Sequence, residues 1–489
     1  MSEQLWSKDA LTVVNLLRNR EISPQEALDA TEARVRAVNP DVHALPTLCF
    51  ERARDRLKSN RSAGDTLLGG LPIPIKDSYP VVGVRTTFGS RVYEHNIADH
   101  SDFLVEAIEA SGGVVFAKSN TPEFEAGANT FNEVFGRTLN PWDTRLSPAG
   151  SSGGAAVAVA TGMAAIAQGS DFACSLRYPA AFCGVVGLRP SPGVVPQGPG
   201  GVPGQTLSVI GPLARNVADC GLGLQAMARF DTRDPLSRPM ADVDFALSAQ
   251  RHEKPARLAF SADLGVADLD PEIRRVVTAA VRKLAGSGVD VAESSPDLSA
   301  ADGAFRTLRA HQFAAARGEL LDGPERELLK PELIWNIEEG LKLTSAEISA
   351  AMRERARCRS SLLTFLDEHE FLLSATAPVP PFPVEERYVS RIAGRTLGTY
   401  LDWLVLGYAI TVTGCPAISI PCGFTSEGLP VGMQIVGRPY SEARLLSVAA
   451  WCEDALGARL MHPIDPKVFA KGEGSGALQS GVRGQPERA

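Results

Sequence analysis

Two amphipathic helices are predicted over residues 8–39, separated by a break near Ser23. The sequence from Ser23 onward reads SPQE, in which serine caps a helix, proline occupies the first turn and glutamate completes a capping box. Apolar side chains then recur on one face at helical spacing: Leu28, Val35 and Val38. The N-terminal part of the chain is therefore expected to be helical.

Short apolar runs alternate with helical patterns through much of the remaining chain. Strands are predicted at 71–75, 113–118, 256–261, 289–292, 372–377, 412–422 and 429–437, and helices at 103–110 and from 270 to about 285. Such alternation is typical of an α/β fold built on a parallel or mixed sheet. The first of these strands ends at Lys76, which is followed by an aspartate.

Three segments depart from this alternation. Residues 155–168 are small and apolar and predict a helix of roughly 21 Å. Residues 188–211 are rich in proline and glycine and predict an irregular but ordered loop. Residues 300–370 are more charged and predict a mostly helical region.

Composition narrows the class of protein. The 489 residues include 49 Lys and Arg against 57 Asp and Glu, so the net charge of −8 argues against a nucleic-acid binder with a basic surface. Hydrophobic residues make up 44% of the chain, which excludes a disordered protein. We expect one domain over 1–467, followed by a flexible tail over 468–489 that is rich in glycine, serine and charge.

Cysteine usage and hydropathy predict a cytoplasmic protein. None of the eight cysteines forms a Cys-x-x-Cys pair, so free thiols in a reducing compartment are expected, with no metal site. The N-terminus lacks the basic-then-apolar layout of a secretory signal. The most apolar stretch, 153–167, is shorter than the roughly 20 residues of a membrane span, so no membrane partner is expected.

The segment Ser147–Gly154 places a serine pair between glycines (SPAGSSGG). One interpretation is a turn before a helix; a phosphate-binding loop is disfavoured because Gly-Lys-Ser/Thr is absent. A helix followed by a returning segment can also bring Ser175 back beside Ser151. No histidine lies near either serine in the sequence, but a lysine with a suppressed charge, such as Lys76, can replace histidine as the base.

Taken together, several ordered motifs resemble the amidase signature family of serine hydrolases over residues 5–460. The resemblance is densest at 69–77 (GGLPIPIKD), 117–124 (AKSNTPEF), 149–190, 413–421 (TGCPAISIP) and 428–437 (GLPVGMQIVG). It implies a large mixed, mostly parallel twisted sheet with helices on both faces, with core motifs in 65–220 and 405–440. It also implies that the helix-rich region at about 300–400 helps to form a substrate funnel.

The resemblance further implies a catalytic triad. Ser175 would be the nucleophile, and Ser151, preceded by a cis peptide bond, would link it to Lys76. Burial of Lys76 would lower its pKa from about 10.4 and let it act as a base. The oxyanion would be held by backbone N–H groups of Phe172, Ala173, Cys174 and Ser175.

Here the sequence departs from the family, because Ala173-Cys174 replaces the usual Gly-Gly. If the loop needs a positive φ at either position, these side chains cost energy. This difference from the family affects the prediction of the substrate class more than the prediction of hydrolytic activity. Cys174 itself is expected to be a packing residue, because it has no neighbouring base or cation to activate its thiol.

Three further residues are assigned supporting roles. Asp171 and Arg177 flank the nucleophile and either orient its loop through a mutual ion pair or satisfy buried backbone groups. Asn120 lies in a motif near the site and either shapes a turn or contacts substrate.

The expected function is hydrolysis of the carbon–nitrogen acyl bond of small amides, without a cofactor. Carbamates and oligoamides are alternative substrates for the same route. A glutaminase subunit of a transamidation complex and an inactive scaffold are the rival interpretations. A small-molecule amide or carbamate is the expected partner, and the family's habit favours a homodimer.

Overall fold

The computed structural model describes residues 2–59, 66–200, 202–240 and 242–469, and the predicted tail lies almost wholly outside them. The helices are α1 Ala10–Arg18, α2 Pro24–Val42, α3 Phe50–Ser59, α4 Phe103–Ala110, α5 Gly153–Ala160, α6 Arg177–Cys183, α7 Val217–Met227, α8 Phe245–Ser248, α9 Pro271–Gly286, α10 Ala301–Arg317, α11 Pro331–Leu341, α12 Ser345–Glu368, α13 Val405–Thr411 and α14 Glu442–Leu456. The strands are β1 Thr47–Leu48, β2 Pro72–Lys76, β3 Val114–Ser119, β4 Phe131–Asn132, β5 Gly136–Arg137, β6 Ile166–Asp171, β7 Val186–Arg189, β8 Val209–Ala214, β9 Arg257–Phe260, β10 Asp290–Glu293, β11 Phe371–Ala375, β12 Arg391–Ile392, β13 Arg395–Thr396, β14 Ala417–Phe424 and β15 Pro430–Val436.

The centre of the fold is an eight-stranded mixed sheet in the order β10-β9-β11-β15-β14-β7-β8-β6. The prediction of a large mixed α/β sheet is confirmed, whereas the predicted majority of parallel pairings is wrong. Among the described strands of this sheet, only the pairs β10–β9 and β11–β9 are parallel; the other five are antiparallel. One reason is visible at β14 and β15, which are joined by a turn at 425–429 that is too short for a parallel crossover.

Helices cover this sheet on both faces, as two neighbouring residues of β8 demonstrate. A Cβ atom at Gly211 would lie 3.0 Å from the side chain of Leu176, which immediately precedes α6. The next residue, Pro212, instead faces α7, since its Cβ lies 2.8 Å from where a Cβ atom of Gly223 would stand. Because successive strand residues point to opposite faces, α6 and α7 lie on opposite sides of the sheet.

A second sheet of three strands, in the order β1-β3-β2, carries the candidate base. Strand β2 runs parallel to β3, and their last paired residues are Lys76 and Ser119. The backbone N–H of Lys76 donates to Oε1 of Gln168 in β6 at 2.9 Å. This hydrogen bond joins the end of the small sheet to the edge strand of the large one.

The predicted helix over 155–168 is too long. Helix α5 ends at Ala160, and Gly162 follows with a φ of +76°, a left-handed conformation that favours glycine and ends helices. Residues 166–171 then form β6, which pairs with β8. The loop predicted over 188–211 also ends sooner than expected, because β8 begins at Val209.

The local N-terminal prediction is confirmed. Ser23 caps α2, its side chain accepting from the backbone of Glu26 while the Glu26 carboxylate accepts from the backbone of Ser23. Within the described ranges, no helix combines the length and the apolar character that crossing a bilayer requires.

Candidate active site

Lys76 ends β2 with its side chain fully buried, and three oxygen atoms surround its amine. Its Nζ lies 2.7 Å from Oγ of Ser151, 2.9 Å from Oγ of Ser170 and 2.6 Å from Oε1 of Glu125. Burial lowers the pKa of Lys76, and the Glu125 carboxylate opposes that change. The neighbouring aspartate, Asp77, faces Lys118 instead, at 3.8 Å.

The serine-pair loop is held in one conformation by Thr130. The Thr130 hydroxyl donates to the carbonyl of Ala149 at 2.8 Å and accepts from the N–H of Gly153 at 3.2 Å. The peptide bond between Gly150 and Ser151 is cis, as the resemblance implied. A Cβ atom at Gly153 would lie 2.3 Å from the Thr130 hydroxyl, so only glycine fits this approach.

The two serines of the pair have different partners. Ser151 contacts Lys76, whereas the Ser152 hydroxyl donates to the carbonyl of Ser170 at 3.2 Å. The backbone N–H of Ser152 donates to the carbonyl of Ser175 at 3.2 Å. Ser175 is 6% exposed. The structure therefore brings the loop of Ser175 against the serine pair, beside the buried lysine.

A buried ion pair shapes the loop that carries Ser175. The Arg177 guanidinium binds both oxygens of the Asp171 carboxylate at 3.0 Å and also donates to the carbonyl of Ala173 at 2.8 Å. Asp171 accepts the N–H of Leu176 as well, at 3.1 Å. Burial alone would raise the pKa of Asp171, but Arg177 and Arg189 hold it at about 2. The two interpretations of Asp171 and Arg177 are therefore not exclusive: these side chains form a mutual ion pair and also bond buried backbone groups of the loop.

The Ala173-Cys174 pair fits the loop without backbone strain. Neither residue has a positive φ, so glycine is not required at either position. Cys174 is fully buried, and burial raises the pKa of its thiol well above the ordinary value. Its Cβ lies 2.4 Å from where a Cβ of Gly407 would stand, so α13 packs directly on it. These contacts favour the packing interpretation of Cys174.

Asn120 makes structural contacts. It is buried, donates to the Thr138 hydroxyl at 3.0 Å and accepts from the side chain of Asn132 at 2.7 Å. These bonds join the end of β3 to the β4–β5 hairpin. The turn interpretation therefore describes Asn120 better than substrate contact does.

Aromatic side chains from α10 cover the candidate oxyanion loop. Phe172 stacks on Phe313, with ring centroids 6.2 Å apart, and meets Phe305 edge-on at 5.9 Å. The guanidinium of Arg309 lies 5.1 Å from the centre of the Phe172 ring. The helix-rich region at about 300–400 therefore reaches the nucleophile loop through α10.

Glu125 and Ser170 are the contacts of Lys76 that the sequence analysis missed. Ser170 and Gln168 are two apart in β6, and strand periodicity places both on the face toward Lys76. That periodicity is a usable signal once residues 166–171 are known to be a strand. Glu125 directly follows the 117–124 motif, but nothing local indicates its contact with Lys76.

No group of three or more histidine, cysteine or acidic side chains suited to a metal ion occurs among the described residues. The chemistry available in this site is that of hydroxyl groups, one buried amine and carboxylates.

Comparison with known proteins agrees with this fold and defines the family. The family model described as Amidase matches residues 26–446, and the chain belongs to this family, the amidase signature enzymes. It is 35% identical to an acylamidase of Rhodococcus erythropolis over 96% of this chain and 100% of that protein. It is 34% identical to a glutamyl-tRNA(Gln) amidotransferase subunit of Moorella thermoacetica, over 91% of this chain and 96% of that protein.

Among solved structures, 6-aminohexanoate cyclic dimer hydrolase complexed with substrate superimposes with a TM-score of 0.84 at 30% identity, covering 92% of this chain and 97% of that one. The protein is a hydrolase that acts on the C–N bonds of amides.

Proposed function

We propose that this enzyme hydrolyses small amides through an acyl-enzyme on Ser175, with Ser151 and Lys76 relaying protons. The observation that carries the proposal is the 2.7 Å contact between Lys76 Nζ and Ser151 Oγ in a fully buried site. Burial lowers the pKa of Lys76 by more than the Glu125 carboxylate raises it, so the amine loses its proton more readily than an exposed lysine does, as a base requires.

The relay transfers one proton in each direction. Ser175 Oγ attacks the amide carbonyl carbon while its proton passes to Ser151 and the Ser151 proton passes to Lys76. When the tetrahedral intermediate collapses, the C–N bond breaks and the relayed proton returns to the leaving nitrogen, releasing an amine. Water then attacks the acyl carbon by the same relay, which frees the acid and restores Ser175.

The backbone N–H groups of Phe172, Ala173, Cys174 and Ser175 are the proposed oxyanion donors. Within the described part of the chain, no hydrogen bond outside regular helices and strands uses the N–H of Ala173, Cys174 or Ser175. The Arg177 bond to the carbonyl of Ala173 fixes the peptide plane that carries the N–H of Cys174. Preorganised donors of this type contribute about 10²- to 10³-fold each to the rate.

Amides with an apolar or aryl acyl part are the proposed substrate class. Phe172 and Phe313 belong to an apolar cluster beside the oxyanion loop, together with Phe124, Leu333 and Ile337. Phe172 is only partly buried, and an apolar substrate group that packs on its ring gains from leaving water. Carbamates and oligoamides follow the same acyl-enzyme route and are the alternative substrates.

A glutaminase subunit of a transamidation complex is the second candidate, because a glutamyl-tRNA(Gln) amidotransferase subunit matches 91% of this chain. That function predicts a stable heteromer and release of ammonia from glutamine. The apolar cluster favours the first candidate, since glutamine would bring a charged ammonium to it and to the guanidinium groups of Arg309 and Arg317 that lie over its rings.

Amine release from matched aryl amides, aryl carbamates and glutamine tests these functions, with Ser175→Ala protein as the blank. We expect turnover of an aryl amide that is absent from the blank. Wild-type turnover by Ser175→Ala would overturn the proposed nucleophile. A heteromer on gel filtration, with glutamine as the substrate hydrolysed, would favour the second candidate.

The proposed setting is the cytoplasm and the proposed assembly a homodimer. All eight cysteines are free, and seven of them are buried, which suits a reducing compartment. Sedimentation of the purified chain measures its assembly directly.

A further inference from the structure

Glu125 brings a negative charge into direct contact with the candidate base. Its Oε1 lies 2.6 Å from Lys76 Nζ and 2.5 Å from the Ser170 hydroxyl, which donates to it. With Ser151 and Ser170, Glu125 completes a set of three acceptors around the amine. Three acceptors match the three N–H groups of an ammonium, so this arrangement suits the protonated form of Lys76.

The backbone holds Glu125 in a conformation that disfavours side chains. Phe124 has a φ of 45° and Glu125 a φ of 61°, both in the left-handed region where glycine is the preferred residue. Strained positions of this kind cluster at functional sites, where the surroundings fix them. A glutamate held in this conformation against the base is therefore a second observation, independent of the distances.

We propose that Glu125 is a positioning residue that holds Lys76 as an ammonium in the resting enzyme and thereby sets the pH at which Lys76 becomes a base. The inference rests on the proposed role of Lys76 in the relay. Its consequence is that the acid limb of activity lies at a higher pH than it would with a neutral residue at position 125.

The proton balance follows from the contacts. An ammonium has no lone pair and cannot accept the Ser151 proton, so the Lys76–Glu125 pair must first release one proton to solvent. Glu125 provides the exit, because its side chain is 21% exposed whereas that of Lys76 is fully buried. The net charge of the pair changes from zero to minus one, and Lys76 is then the amine that takes up the relayed proton.

The other ionisable groups around the pair are less direct. Asp171 and Cys174 act on Lys76 from the nucleophile loop through space, and Tyr79 and Arg317 interact with Glu125 in the same way. Asp171 forms ion pairs with Arg177 and Arg189, which compensate its charge.

Among the described residues, Glu125 supplies the carboxylate that contacts Nζ of Lys76. Its charge raises the pKa of Lys76 against the lowering by burial, and Lys76 in turn lowers the pKa of Glu125. Removing this charge should therefore lower the pKa of Lys76 further, because burial, already the largest influence on the amine, would lose its main opponent.

The test is the pH profile of kcat/KM, which reports ionisations of the free enzyme. Glu125→Gln keeps the shape of the side chain and removes the charge; Glu125→Gly removes the side chain and suits the left-handed backbone. Glu133→Gln is the matched control, because it removes one negative charge from a side chain that is 72% exposed. Thermal melts establish that each variant is folded.

We expect the acid limb to move to lower pH by about 1–3 pH units in both Glu125 variants and to stay in place in the control. An unchanged acid limb in active Glu125→Gln protein overturns the proposal. So does a complete loss of activity at every pH in folded Glu125→Gln and Glu125→Gly, since the carboxylate would then be essential to the chemistry itself.

This outcome is separable from the fate of the proposed function. Mass-spectrometric detection of an acyl group on Ser175, together with inactivity of Ser175→Ala, supports the nucleophile whatever the acid limb does. If Ser175 is acylated and the limb does not move, the inference about Glu125 alone fails. If Ser175→Ala retains turnover, the proposed function fails first.

Discussion

Arg177 and Asp171 form a bidentate ion pair in which both side chains are fully buried, and each of its two N–O distances is 3.0 Å. The same guanidinium also donates to Ala173, so the pair is part of the loop that carries Ser175. A charge left alone in such a place is costly, since neither water nor another acid replaces the missing partner.

Asp171→Asn should therefore lower the free energy of unfolding by about 3–5 kcal/mol. In the wild type, the folded-state pKa of Asp171 is about 2, below its ordinary value, so its stabilisation is present above about pH 4 and is lost as the pH falls toward 2. Urea unfolding from pH 7 down to pH 2 measures both effects. If the stability of Asp171→Asn falls equally steeply as the pH is lowered, Asp171 is not the source of this pH dependence.

Removing the amine of Lys76 should abolish turnover while preserving the fold. Lys76→Met keeps a long apolar side chain in the buried site, and we expect kcat to fall by at least about 10²- to 10⁴-fold. Lys76→Arg should not rescue activity, because a guanidinium does not give up its proton in this pH range. Initial rates with an aryl amide and a circular-dichroism melt are the measurements.

The adjacent serines offer a matched comparison. Ser151→Ala removes the hydroxyl that contacts Lys76 and should leave only a trace of activity, whereas Ser152→Ala removes a hydroxyl bonded to the backbone of Ser170. We expect Ser152→Ala to lose less than about tenfold, since general acid–base catalysis does not pass through it. Equal losses in the two variants would count against the relay.

The thiol of Cys174 should be inert. Burial raises its pKa, so its thiolate is scarce at neutral pH, and thiolate is the form that reacts. We predict that iodoacetamide leaves the activity of the native enzyme unchanged and that Cys174→Ala turns over substrate. Rapid inactivation protected by substrate would show instead that this thiol is reactive and accessible.

Phe313 should contribute to the preference for aryl substrates. Its ring stacks on Phe172, and an aromatic pair adds about 0.5–1.5 kcal/mol beyond the area it buries. Phe313→Leu is expected to raise KM for an aryl acyl amide several-fold more than for an acetyl amide. Steady-state kinetics on the two substrates measures the ratio, and an identical change for both would remove Phe313 from specificity.

Features set by neighbouring residues were predictable from the sequence. The capping box at Ser23 needs only four consecutive residues, and the end of β2 at Lys76 follows from an apolar run. The ordered motifs placed Ser151 and Lys76 in one site, and their hydroxyl and amine do meet. The roles of these residues stay predictions until the variants are measured.

Features set by distant residues were not predictable. The helix predicted through residue 168 overlaps the start of β6, whose pairing partner, β8, begins 38 residues after β6 ends. The direction of most strand pairs depends likewise on non-local contacts. The contact of Glu125 with Lys76 spans 49 positions and requires two consecutive left-handed residues, which no periodicity indicates.

The candidate site is divided between two sheets: Lys76 belongs to the small one, and the loop of Ser175 leaves the edge of the large one. The Lys76 amine crosses that junction to the Ser170 hydroxyl of β6 at 2.9 Å, and a hydrogen bond of that length tolerates little sliding, so turnover reports how well the two sheets stay packed together. As the urea concentration rises, activity should disappear before helical content does. A small displacement of one sheet against the other moves the Lys76 amine away from the loop of Ser175 while both sheets remain folded.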